Sequence, residues 1–259
     1  MKNKIFLLLS LGLIAILITS CSPKTLLYSN FNAHNLGFTP LKSIPNAIVG
    51  DSILYDPSIV PRLKIITIPL QGTVKEHKEL EFTNVSITKS PTKGPPQTWL
   101  NFQAITTDFA TGITYSCFIK VDKFSSDLNI DLTDGQLNYI TRVVISKSGE
   151  IRIPNAIYDY ECKTVVGRIT DFSKYHLITF KVDALKNTYQ FSVSSTGIEN
   201  NNPNQTNSLI QIKNLPVFEK LLEKEGAKQV YPKPSMYFNW DTYSLGGRCL
   251  FNNVSISKP

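Results

Sequence analysis

The chain is poor in the residues from which most enzymes build their chemistry. Its three histidines, His34, His77 and His176, stand far apart in 259 residues. Zinc clusters and Ser-His-Asp or Cys-His arrangements therefore have little to build on. Cysteine is scarce as well: Cys21, Cys117, Cys162 and Cys249 are the only four, and their spacing matches no metal site. Lys and Arg number 27 against 20 Asp and Glu, yet they are scattered. A nucleic-acid surface shows a basic stripe, and its absence argues against a nucleic-acid partner. Serine and tyrosine are plentiful, but none lies in a nucleophile motif. The one greasy run is also short for a permanent membrane span, which needs about 20 apolar residues.

That run sits at the start. Met1-Lys2-Asn3-Lys4 carries two positive charges, and Ile5 to Ile18 is apolar apart from Ser10 and Gly12. A charged head followed by an apolar core of this length is the pattern of a secretory signal. Its end, Leu17-Ile18-Thr19-Ser20-Cys21, resembles the lipobox of bacterial lipoproteins. The resemblance implies cleavage before Cys21, a diacylglyceryl group on its sulfur and an acyl chain such as palmitate on its new amino terminus. Two or more chains anchor stably where one binds marginally. The expectation is a signal peptide over 1–20 and one domain over 21–259, held at the bacterial cell envelope through Cys21. Ser22 after the cysteine resembles outer-membrane sorting in cells with two membranes. Without the signal the chain keeps 25 basic residues and a formal charge of +5.

Cys117, Cys162 and Cys249 then remain. Export favours oxidation, but three is an odd number. One disulfide with one thiol left over, or three buried thiols acting as small hydrophobes, are both open.

Beyond the signal, strand patterns dominate. Candidates are Leu63–Leu70, Glu79–Lys89, Thr98–Thr106, Thr114–Asp122, Asp127–Leu132 and Ile140–Ser146. Glu150–Ile153, Thr164–Thr170, His176–Val182, Thr188–Ser194, Ser235–Trp240 and Arg248–Ser257 follow. Many alternate apolar and polar residues, as a sheet with one buried face requires. Thr133-Asp134-Gly135, Ser148-Gly149 and Lys186-Asn187 read as turns between them. One helix is predicted over Leu215–Glu225, with Pro216 near its start and Gly226 past its end. Glu199–Ser208 reads as a polar loop. Two octets echo each other, FTNVSITK at Phe82–Lys89 and FNNVSISK at Phe251–Lys258. Their surroundings do not align, so they read as two similar strands rather than a duplicated domain.

Three stretches resemble the concanavalin-like or laminin-G-like jelly rolls. Leu27–Pro40, LYSNFNAHNLGFTP, resembles the opening strand of secreted members. Tyr175–Thr196, YHLITFKVDALKNTYQFSVSST, resembles their central hairpin with its Lys-Asn turn. Leu250–Ser257, LFNNVSIS, resembles the closing strand, which in that fold pairs near the first. The resemblance implies an all-β, two-sheet antiparallel sandwich. Laminarinase-type hydrolases on that fold carry a Glu-x-Asp-x-x-Glu run that sets two carboxylates on one face, and no such run is present. The nearest acidic strand, DLNIDLTD at Asp127–Asp134, has no glutamate. It reads as a solvated edge and turn, with Asp131 and Asp134 as candidate oxygen ligands for Ca²⁺.

The densest unusual patch is Tyr237–Tyr243, YFNWDTY, followed by Gly246-Gly247-Arg248. Aromatic faces beside Asn, Asp and Arg can stack on a sugar and hydrogen-bond its hydroxyls. The candidate ligand-binding residues are Trp99, Tyr237, Asn239, Trp240, Asp241, Tyr243 and Arg248, with Tyr158 and Tyr160 behind them. Strand alternation divides the patch, with Tyr237, Asn239 and Asp241 on one side and Phe238, Trp240 and Thr242 on the other. Trp240 thereby reads as core if the first set is exposed. The leading expectation is a surface-anchored, non-catalytic lipoprotein that binds a glycan or another envelope component. The alternatives are a polysaccharide hydrolase or lyase with dispersed catalytic carboxylates, and a structural envelope protein with a protein partner.

Overall fold

In the computed structural model the described residues are 24–32, 35–38, 51–55, 63–69, 76–83, 99–104, 112–123, 126–133, 139–157, 159–195, 198–200, 209–218, 234–240 and 246–258. Cys21, Asp134, Tyr158, Asp241 and Tyr243 lie outside them.

The strands in chain order are β1 (Lys24–Ser29), β2 (Asp51–Tyr55), β3 (Leu63–Pro69), β4 (Glu76–Thr83), β5 (Trp99–Ala104), β6 (Ile113–Lys123), β7 (Leu128–Thr133) and β8 (Tyr139–Ile145). They continue as β9 (Glu150–Ile153), β10 (Thr164–Ile169), β11 (His176–Asp183), β12 (Thr188–Ser194), β13 (Ile198–Asn200), β14 (Leu209–Pro216), β15 (Ser235–Asn239) and β16 (Arg248–Lys258). Sheet I runs β14-β12-β11-β6-β16-β4-β3, with β1 also paired to β16, and sheet II runs β13-β10-β9-β8-β7-β15-β5-β2. The pairings are antiparallel, and the chain passes repeatedly from one sheet to the other, as from β4 to β5 to β6 to β7. This is the expected all-β, two-sheet antiparallel β-sandwich.

Alternation explains why each strand lies where it does. Ile113, Tyr115, Cys117, Ile119 and Val121 of β6 are buried, while Thr114, Ser116, Phe118, Lys120 and Asp122 between them are half-buried. The inward rows of the two sheets meet in a ring cluster. Phe102 and Phe238 of sheet II lie 6.0 Å apart, and Phe251 of sheet I packs 4.5 Å from Phe238 and 6.0 Å from Phe102. Each such tilted or edge-on pair contributes roughly 0.5–1.5 kcal/mol beyond its buried area.

The closing strand pairs with the opening one, Tyr28 opposite Ser255 and Ser29 opposite Val254. The β11–β12 hairpin forms as its pattern predicts, with Asn187 in the left-handed region at φ 52°. Asparagine tolerates that region better than most side chains. Ser148-Gly149 turns β8 into β9. Gly149 has φ 87°, and a Cβ there would stand 2.5 Å from the Ile169 carbonyl oxygen, so only glycine fits. The two echoing octets begin on adjacent antiparallel strands: Cys249 faces Phe82 and Phe251 faces Leu80.

The predicted helix is corrected at its start. Leu215 and Pro216 end strand β14, with Leu215 opposite Tyr189 and Pro216 opposite Thr188. The Val217 and Phe218 amides donate to the carbonyls of Asn187 and Ile140, at 3.1 and 2.8 Å, and both side chains are buried. Those amides are thus tied to the sandwich instead of opening a helix. Residues 219–225 lie outside the described ones. Strands β2, β13 and β14 have no counterpart among the predicted strands, and β13 takes in Glu199 and Asn200 of the expected polar loop. Cys117, Cys162 and Cys249 are free, buried thiols. Burial pushes all three up, Cys162 to about 12, which leaves them unreactive.

Candidate functional site

The outward positions of sheet II form two cross-strand rows at its centre. Asn101 of β5, Tyr237 of β15, Asp131 of β7 and Arg142 of β8 stand side by side. The neighbouring row runs Trp99, Asn239, Asn129, Val144 and Arg152. Register produces this arrangement, because every second residue of each strand faces the same side.

The rows have a floor and two aromatic walls. Asn101 and Asp131 are buried at 2% and 1% exposure, while Trp99, Tyr237 and Asn239 are half-buried. Trp99 and Tyr237 sit diagonally across β5 and β15 with ring centroids 5.3 Å apart, tilted by 37°. Opposite them, Tyr139 and Tyr160 pack edge to face at 5.5 Å, and Tyr160 leans on Phe218 at 5.0 Å. The Arg142 guanidinium lies over both tyrosine rings, at 5.4 and 5.7 Å, a cation–π geometry.

Arg142 also grips Asp131 with two bonds. Nε donates to Oδ1 at 2.6 Å and a terminal nitrogen to Oδ2 at 2.9 Å. Burial pushes the Asp131 carboxyl above its usual range, and the Arg142 bonds pull it partly back. Burial, with Tyr139 and Asp131 nearby, pushes the Tyr237 hydroxyl up to about 12, so it remains a neutral donor at ordinary pH. Asn101 Oδ1 is buried with no hydrogen-bond partner among the described residues. An acceptor left so costs roughly 1–3 kcal/mol.

Three of the sequence candidates, Trp99, Tyr237 and Asn239, thus come together on one face, with Tyr160 beside it. Trp240 does not join them. It points into the sandwich at 1% exposure and packs 6.5 Å from Phe82, because it follows Phe238 on the inward side. Arg248 lies on sheet I. It is bound there to Glu81 at 2.6 Å and to Asp122. Asp131 is no solvated edge residue: β7 lies between β8 and β15. Both its oxygens are taken by Arg142, so it is not free to ligate Ca²⁺. Asn101, Tyr139 and Arg142 were missed as site residues, and Asp131 entered only as a candidate Ca²⁺ ligand. The period of two in DLNIDLT is a signal that sets Asn129, Asp131 and Thr133 on one side, but nothing in the sequence says that Arg142 lies opposite.

No protein-family model matches the chain, and no curated protein matches it. Solved structures align with it only loosely. A sialidase is 14% identical with a TM-score of 0.39, over 91% of this chain, which spans 19% of that protein's length. Lectin UEA-II complexed with galactose is 10% identical at 0.41, covering 87% of this chain and 100% of its own. Arcelin-5, a lectin-like defense protein from Phaseolus vulgaris, is 12% identical at 0.38, over 81% and 98%.

Proposed function

We propose that this chain is a lipid-anchored envelope protein that binds a glycan on the outer face of sheet II without cleaving it. The observation that carries the reading is the half-buried Trp99–Tyr237 ring pair on the outer face, with Asn239 directly across from Trp99. Sugar recognition needs this combination, since a ring stacks on aromatic faces while its hydroxyls find fixed polar atoms. The half-buried Asn239 amide and Tyr237 hydroxyl on the same face suit sugar hydroxyls. Asp131 is held bidentate by Arg142. A glycosidase needs two carboxylates free to act as acid and nucleophile or base, and this one is engaged on both oxygens. The anchor rests on the Cys21 lipobox and the charged, apolar leader before it.

The test has two parts. Against panels of cell-wall and host polysaccharides, the chain binds at least one, and Trp99→Ala or Tyr237→Ala weakens that binding about 10-fold, ~1.4 kcal/mol. Variants indistinguishable from the parent chain would remove the face from consideration. Metabolic acyl labelling is abolished by Cys21→Ser, and label that persists would sink the anchor.

A further inference from the structure

The outer face of sheet I carries a second cluster that shares no residue with the first. Glu79 points outward from β4, yet its side chain is fully buried at 0% exposure. His77 Nε2 lies 2.5 Å from Glu79 Oε1, the Tyr175 hydroxyl donates to Oε2, and Asn252 Nδ2 stands 3.5 Å from Oε1. These groups arrive from β4, from the residue before β11 and from β16, so only folding assembles them. A bulge in β16 between Asn252 and Ser255, with Asn253 at φ 46°, turns two consecutive asparagines toward the same place. Tyr28 donates to Asn253 Oδ1 at 2.9 Å and fixes that amide. Phe118 of β6 lies opposite Asn252 on the same face. His77, Glu79, Phe118, Tyr175, Asn252 and Asn253 line a cavity of about 250 Å³.

We infer that this cavity is a binding pocket for a single sugar ring. Its volume of about 250 Å³, below the roughly 300–1,000 Å³ of sites for drug-sized ligands, is of the size of one sugar ring. Phe118 and Tyr175 offer apolar faces for stacking, and Asn252 and Asn253 offer amides. Glu79, closed to solvent, is the positioning residue that holds this wall together, accepting from Tyr175, from Asn252 and from His77. Burial and the neighbouring Glu79 hold the Tyr175 hydroxyl protonated, so it keeps donating and holds the carboxylate in place. An ammonium ligand is the weaker fit, because His77 and Tyr175 already direct donors at this carboxylate. The pocket opens on the opposite face of the sandwich from the Trp99–Tyr237 pair, which makes the chain two-sided toward glycans.

Saturation-transfer NMR on the full chain tests this, with the methyl glycosides of glucose, galactose, mannose and N-acetylglucosamine as probes. At least one shows transfer, and that signal survives in the Trp99→Ala, Tyr237→Ala double variant. Phe118→Ala weakens it at least about 10-fold, and Glu79→Gln does the same. Phe118 is half-buried on the outer face, so its truncation leaves the core intact and decides the matter if Glu79→Gln does not fold. Absence of transfer to all four probes, or transfer unaffected by Phe118→Ala, overturns the pocket. The sheet II reading is judged on different variants, so failure of one leaves the other standing.

Discussion

Arg142→Ala lowers the stability of the chain by about 3–5 kcal/mol, the cost of stranding a buried charge. Asp131 is 1% exposed and both of its oxygens are bonded to Arg142. Truncation leaves that carboxylate in a low-dielectric site with no counter-charge. Domains of this kind are stable by about 5–15 kcal/mol, so about a fifth of the total or more is at stake. The double variant Asp131→Asn, Arg142→Ala recovers part of the loss, because the orphaned charge is gone. The pH dependence follows from the same pair. Burial already raises Asp131, and without Arg142 nothing pulls it back. A carboxyl whose pKa is raised in the folded state binds more protons there than in the unfolded chain. Stability then falls as pH rises above the ordinary carboxyl value of about 3.9. The deficit of Arg142→Ala against the parent is therefore smallest in acid and grows toward neutrality. Urea unfolding midpoints at several pH values measure it. A cost below about 1 kcal/mol at neutral pH would mean that the pair is not a buried ion pair.

Trp240→Ala costs about 3–5 kcal/mol, as removal of a large core aromatic does, and leaves glycan binding per folded molecule unchanged. The side chain is 1% exposed, faces the sandwich interior and packs against Phe82 of the opposite sheet. Its neighbour Phe238 holds the same side of the strand and anchors the ring cluster with Phe102 and Phe251. Truncation removes contacts from both sheets at once, and the cavity left behind collapses only partly. Denaturant unfolding reads the first half, and titration of the folded fraction reads the second. Binding lost with stability moved by less than about 1 kcal/mol would make Trp240 a ligand group after all.

Strand alternation made much of this legible. The period of two in TYSCFIKVD and HLITFKV marks one buried face, and Lys186-Asn187 and Ser148-Gly149 mark turns by their tolerance of positive φ. The same period separates Tyr237 and Asn239 from Phe238 and Trp240. Where the pattern was short or mixed, it failed. LIQIKNLP reads as neither alternating strand nor loop, and VFEKLLEKE carries a helical period after it. Strand β14 forms because β12 offers it an edge to pair with, a partner that local periodicity does not report.

The all-β class rests on the period of adjacent residues, so the sequence by itself carries it; the proposed anchor likewise rests only on the adjacent residues that end at Cys21. The composition of the two outer faces depended on tertiary structure. Register across β5, β15, β7 and β8 sets Asn101, Tyr237, Asp131 and Arg142 in one row, and these come from four separate segments. His77 stands alone in the sequence, and Glu79 looks like an ordinary charged strand residue two positions on. Tyr175 meets Glu79 across 96 residues, and Asn252 across 173. A side chain's chemistry is written in its own residue, but its partners are chosen by which strands pair and in what register, and that is settled by packing the whole sandwich.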